Sequence, residues 1–356
     1  MRTALISLCL FFSTIAGSLA MASPHFVGPT PEMEARWLHY TDALSRFQLQ
    51  KGCVPKRIWA NPKVPHQGAV MMVHGYTACP QQFFDWAELV AAQGWDVLLP
   101  LLPGHGRTPL SPDVPGGKYS DNAEGLLKKN EWRGFNEFGD EMNHIMEAAE
   151  GSKVIGGLSV GGTVAMYAIQ AAPKLYDRAL IMTPLLDFSN PDYRRDLWFV
   201  QAGLPDGSPL GWYRITWGDG CHEERSQGRA GICDFWASTA AAIQNFGLHV
   251  ASIFKSGQTQ VQVVTVEADP TAWNEPILKA YKNFSPSARD SICFMPKGVN
   301  HSLISKYDAP KSKKWWFSAL YRETADFVMH GDLMPLGDRS QTDPGYFRCA
   351  LPGVRE

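Results

Sequence analysis

The sequence predicts an α/β fold: a mostly parallel central sheet flanked by helices, with a cap inserted between two of its strands. Three observations carry this. Short apolar runs alternate with helix-patterned stretches along most of the chain, the rhythm of βαβ units. That rhythm breaks once, between about residues 188 and 257, where Pro, Gly and Trp accumulate, and then resumes. Finally, Ser159 stands among glycines in Gly-Gly-Leu-Ser-Val-Gly-Gly, residues 156–162, between an apolar run and a helix-forming stretch.

Taken in order, the elements begin with Arg2, an apolar stretch from Ala4 to Ile15 and the small residues Ala20-Met21-Ala22. This is the layout of a secretory signal peptide over residues 1–22, with cleavage expected after Ala22 and export to the periplasm or beyond. Residues 23–56 form a Pro-rich joint and an amphipathic helix over Pro31–Gln50, carried by Met33, Trp37, Leu44 and Phe47. The first part of the core spans 57–187. Its strands are expected at Ala69–Val73, Trp95–Leu102, Lys153–Leu158 and Arg178–Pro184, with helices at Gln81–Gln93, Asn130–Glu150 and Val160–Ala172. Residues 188–257 are the cap, ending in a helix from Phe235. The second part of the core, 258–330, supplies strands Val261–Val266 and Ser291–Met295 and helices Ala272–Phe284 and Lys313–His330. Residues 331–356 are left as a tail.

Composition narrows the class. A 356-residue chain with 45% hydrophobic and 19% charged residues buries a sizeable core. A formal charge of −2 and the lack of any basic block give no reason to expect nucleic acid as a partner. Beyond the N-terminal segment no apolar run approaches the length of a membrane anchor. Loss of Cys9 with the signal would leave Cys53, Cys79, Cys221, Cys233, Cys293 and Cys349, an even number suited to disulfides in an oxidising compartment. Cys221–Cys233, close in sequence, is the first pair expected; Cys53–Cys79 and Cys293–Cys349 would follow. No C-x-x-C pair occurs, which argues against a zinc site.

The chemistry centres on Ser159. Gly157-Leu158-Ser159-Val160-Gly161 fits G-x-S-x-G in the strand–turn–helix setting that gives the motif meaning. A serine hydroxyl needs a base, usually a histidine oriented by a carboxylate. His301 follows the last core strand and so takes the expected place of the base; His74, His105, His222, His249 and His330 fit that place less well. For the carboxylate, Asp269 follows the penultimate strand, with Asp187 and Glu267 as rivals. Oxyanion donors are expected at the backbone N–H groups of Tyr76 and Val160. His74 is expected to brace the Tyr76 loop.

The segments His74-Gly75-Tyr76-Thr77, Leu102-Pro103-Gly104-His105-Gly106 and Gly157–Gly161, with Asp269 and His301 in that order, resemble the α/β-hydrolase family. The first two are similar to those of its monoglyceride-lipase and carboxylesterase branch. The resemblance covers about Arg57 to His330. It implies serine hydrolysis of carboxylic esters without a cofactor, on small-molecule or lipid esters. A peptidase or acyltransferase with the same triad, and a non-catalytic binding protein on this scaffold, are the alternatives. The Trp-rich cap, with Trp198, Trp212, Trp217 and Trp236, is expected to wall the acyl pocket.

Overall fold

The computed structural model describes residues 29–106, 132–202, 214–216, 221–255, 257–283, 290–307, 316–334, 337–338 and 348–350. The expected signal segment, Trp212 and Trp217 lie outside them, as do the side chains of Trp198 and Trp236.

Helix α1 (Pro31–Ser45) opens where Thr30 accepts the Met33 N–H at 3.0 Å and proline takes the first turn. Strand β1 (Lys56–Ile58) leads to β2 (Gly68–Val73), a 3₁₀ turn at Pro80–Phe83, α2 (Phe84–Ala91) and β3 (Trp95–Leu99). β3 stops short of the expected Leu102 because Pro100 has no N–H to donate to a ladder. Next come α3 (Arg133–Glu147), β4 (Ser152–Leu158), α4 (Val160–Ala171) and β5 (Arg178–Met182). The cap holds α5 (Pro191–Ala202), β6 (Arg214–Thr216), α6 (Cys221–Ser226), β7 (Asp234–Trp236) and α7 (Ala237–Ile253). Strands β6 and β7 pair with each other, so the expected helix from Phe235 starts only at Ala237. The chain returns through β8 (Gln260–Val266), α8 (Asn274–Lys282), β9 (Ser291–Met295) and α9 (Phe317–His330), and ends in β10 (Gly337–Asp338) and β11 (Arg348–Ala350).

Among the described residues the main sheet has the order β1-β3-β2-β4-β5-β8-β9-β11-β10. The run from β3 to β9 is parallel, and β1, β10 and β11 pair antiparallel at its two sides. Every residue of β2 and β3 is buried, the mark of strands covered on both faces. Alternation sorts their side chains between two layers. Met71 and Val73 face the core of α1, α3, α4, α7 and α8; Val70 and Met72 face that of α2 and α9. Chain order reverses at β2, with β3 on one side and β4 on the other, which leaves a crevice at the carboxyl ends of the strands.

The three disulfides are the three pairs anticipated: Cys53–Cys79, Cys221–Cys233 and Cys293–Cys349. The last joins residues directly opposite in β9 and β11, so part of the tail belongs to the sheet. No helix among the described residues is long and apolar enough to cross a membrane.

Candidate active site

Strand β4 delivers Ser159 into a turn that most residues avoid. Its φ of 57° and ψ of −122° put a non-glycine residue in a left-handed conformation, at a typical cost of about 1–3 kcal/mol. The main chain is held there. Ser159 N–H donates to Met182 O at 2.9 Å, and Ser159 O accepts from Thr163 N–H at 3.0 Å and Leu185 N–H at 3.2 Å. The flanking glycines answer to close approach. A Cβ on Gly157 would sit 2.3 Å from Gly161 O, and one on Gly161 would sit 2.0 Å from Val73 O. Helix α4 therefore starts pressed against β2, with its N-terminus beside Ser159.

Two further non-glycine residues with positive φ are Thr183 (38°) and Ala268 (50°). They follow β5 and β8, so Ser159, Thr183 and Ala268 mark the ends of three neighbouring strands. Past Ala268 the chain turns Asp269 inward. Its Oδ1 accepts the N–H groups of Thr271 (2.8 Å) and Ala272 (3.0 Å), and its Oδ2 lies 2.8 Å from His301 Nδ1. With both amides so used, α8 begins at Asn274, two residues later than expected. Burial works to raise the Asp269 carboxyl, but His301 and the two amides outweigh it and hold it below the usual range. Thr183 Oγ1 donates to His301 O at 3.3 Å, which ties the histidine loop to the end of β5.

The loop after β2 is fixed carbonyl by carbonyl. His74 Nε2 accepts Leu102 N–H at 3.0 Å, so its proton sits on Nδ1, which donates to Gly75 O at 2.8 Å. Burial and the neighbouring His105 keep His74 neutral, far below the usual imidazole range. Gly75 O also accepts Ala78 N–H at 3.0 Å. In a trans peptide the N–H points opposite to the C=O, so the Tyr76 N–H is turned away from both donors. Tyr76 O in turn meets His105 Nε2. Val160 opens α4, where amides have no intrahelical partner.

One cavity gathers these groups. Gly75, Tyr76, Thr77, Ser159 and His301 line it, and it encloses about 380 Å³ of empty space, open solvent at its mouth included. The cap contributes Phe188, Phe235 and Ile243. Asp187 is not brought to the histidine. Its Oδ1 accepts Gln244 Nε2 at 2.7 Å and Phe188 N–H at 2.8 Å, and burial pushes its carboxyl up. Glu267 stays at the end of β8, its N–H donating to Met295 O at 2.8 Å. Sequence reading missed Thr183, whose partner His301 lies far along the chain. Among the described residues no three His, Cys, Asp or Glu side chains are grouped to hold a metal ion.

Solved structures share the architecture. A monoacylglycerol lipase from Paleococcus ferrophilus is 15% identical with a TM-score of 0.55, covering 78% of this chain and 99% of its own. A soluble variant of monoglyceride lipase from Saccharomyces cerevisiae, in complex with a substrate analog, is 15% identical with a TM-score of 0.55, covering 81% and 95%. A structure of metagenome-derived lipolytic enzymes is 16% identical with a TM-score of 0.54, covering 79% and 99%. At these identities the likeness is one of fold. No curated protein is similar in sequence. The sequence model of the alpha/beta hydrolase family matches residues 70–304, from β2 to the loop carrying His301 and so through the whole elbow and cap. With the strand order, the elbow and that match in agreement over more than half of its length, the chain belongs to the α/β-hydrolase family.

Proposed function

We propose that the protein is an exported serine hydrolase of carboxylic esters, working through Ser159, His301 and Asp269 and an acyl-enzyme. The observation that carries this reading is the buried Asp269–His301 pair, 2.8 Å apart, whose His301 lines the same cavity as the strained Ser159. His301 takes the hydroxyl proton as Ser159 Oγ bonds to the ester carbonyl carbon. The resulting oxyanion is received by the N–H groups of Tyr76 and Val160. The C–O bond to the alcohol then breaks, and His301 hands its proton to the departing oxygen. Water, deprotonated by His301, attacks the acyl carbon; the bond to Ser159 Oγ breaks as His301 returns that proton to it, releasing the acid and free Ser159. Asp269 keeps His301 oriented and stabilises its charged form.

The apolar cap wall suits a neutral acyl group, and lipase names recur among structures of this fold. Export is supported by the N-terminal segment and by three disulfides, which persist in oxidising compartments. Ser159→Ala tests the reading: it should stay folded, lose about 10⁴-fold or more in kcat and lose labelling by a serine-directed phosphonate. An active alanine variant, or a label on another residue, overturns it.

A further inference from the structure

Across the cavity from the catalytic pair, the cap grips the loop that carries Tyr76. The grip comes from the segment between Cys221 and Cys233, a loop closed by its own disulfide. Arg229 within it is almost fully buried. Its guanidinium donates through Nη2 to Thr77 Oγ1 at 3.0 Å, while Nε lies 3.4 Å from Glu224 Oε2. Next to it, Ile232 N–H donates to Thr77 O at 3.1 Å. Gly231 permits that approach: at φ 125°, a Cβ there would stand 2.1 Å from Thr77 O. Both oxygens of Thr77 are thereby held by the cap. A neighbouring tie runs from Ala230 N–H to Gln81 Oε1 at 2.8 Å, and Cys79 is bonded to Cys53.

Thr77 directly follows Tyr76 and lines the cavity itself. A shift of the Tyr76–Thr77 segment would pull on the adjoining Gly75–Tyr76 peptide, whose plane sets where the Tyr76 N–H points. Gly75 and Tyr76 are braced from the body of the protein by His74 and His105, whereas among the described residues the two oxygens of Thr77 are held from the cap. A rigid planar fork suits this duty, since it holds several acceptors in one fixed geometry. We propose that Arg229 is a positioning residue for the oxyanion loop, so that the disulfide-closed cap loop is part of the catalytic machinery and not only a lid. This rests on the ester-hydrolase reading above.

The test uses the full-length oxidised protein with p-nitrophenyl acetate, and the variants Arg229→Met, Thr77→Val and their double. Donors that act on a transition state govern kcat more than KM. Each single variant should therefore lower kcat by about tenfold to a hundredfold, the range expected of a misplaced group, with KM within about twofold. The double should be no worse than the worse single, because both remove one contact. Amide hydrogen exchange over residues 75–78 gives a readout independent of turnover, and it should accelerate in Arg229→Met. Unchanged exchange, or unchanged kcat in Thr77→Val, overturns the proposal. So does a double variant whose losses multiply. A wild-type protein that is inactive on esters and unlabelled at Ser159 marks failure of the functional reading instead, and the exchange data still decide whether Arg229 holds the loop.

Discussion

Asp269 Oδ2 lies 2.8 Å from His301 Nδ1, and the same carboxylate accepts two backbone N–H groups from the residues that follow it. Those amides hold the carboxylate independently of His301, so the pair is anchored from the Asp269 side. Asp187 is held in a comparable way, but by Gln244 and away from His301.

Replacing the two aspartates separates their duties. Asp269→Asn should lower kcat by about 10⁴-fold, as expected when the base takes the wrong tautomer. Asp187→Asn should leave kcat within a few-fold of wild type. Steady-state kinetics on one chromogenic ester decides, and the reverse order refutes the assignment.

The same two carboxyls give opposite pH signatures. Asp269 is held below its ordinary value of 3.8, so its contribution to stability is complete above that value and is lost as pH falls through the lower folded value. Asp187 is raised above 3.8; its contribution is present below that value and is lost as pH climbs through the raised one. Denaturant unfolding of wild type against Asp269→Asn should show a gap that narrows below about pH 4. The gap between wild type and Asp187→Asn should move the other way. A pH-independent gap for Asp269→Asn would contradict the linkage.

Gly161→Ala should be the most damaging methyl in the elbow. Its Cβ would lie 2.0 Å from Val73 O, with the nearest atoms all backbone of Val73 and His74 and no flexible side chain to yield. Overpacking of this kind costs about 1–3 kcal/mol where neighbours can shift, and more where they cannot. Thermal unfolding and expression yield measure it; a variant with wild-type Tm and activity would show that α4 can slide on β2.

The cap wall should set acyl preference. Each added buried CH₂ contributes up to about 0.8 kcal/mol until the space is full, so kcat/KM should climb from acetate and then level off. Ile243→Ala and Phe235→Ala should move that plateau to longer chains while acetate turnover changes little. A chain-length series with the three proteins checks it, and an unmoved plateau in both variants sends the acyl chain elsewhere.

The Ser159 elbow was legible because its glycines and serine fall in one short stretch between a strand and a helix pattern, although the oxygen that excludes a Cβ at Gly161 belongs to Val73 in another strand. Asp269 and His301 were legible from chain order, since the alternation located both loops. Arg229 was not: its partner Thr77 is 152 residues away, and an arginine in a Gly-rich loop reads as solvated surface. The cap wall was read from tryptophans by their bulk, whereas the described side chains facing the cavity are Phe188, Phe235 and Ile243. Strand β11 escaped notice because three residues carry no periodicity. It forms through its partner β9 and the Cys293–Cys349 bond.

That last strand also governs how molecules meet one another. Among the described residues the outermost members of the sheet are β1, three residues long, and β10 at Gly337–Asp338. An edge as short as β1 offers a second molecule almost no ladder to extend. Behind β10 and β11 stands β9, Ser-Ile-Cys-Phe-Met, almost wholly buried and apolar. Breaking the Cys293–Cys349 bond, or trimming the chain ahead of Arg348, would bare its free N–H and C=O row to any passing copy. Strand β11 thus covers the edge of β9, and a reduced or clipped protein should aggregate more readily than the intact one, with Ser159 and His301 still in place.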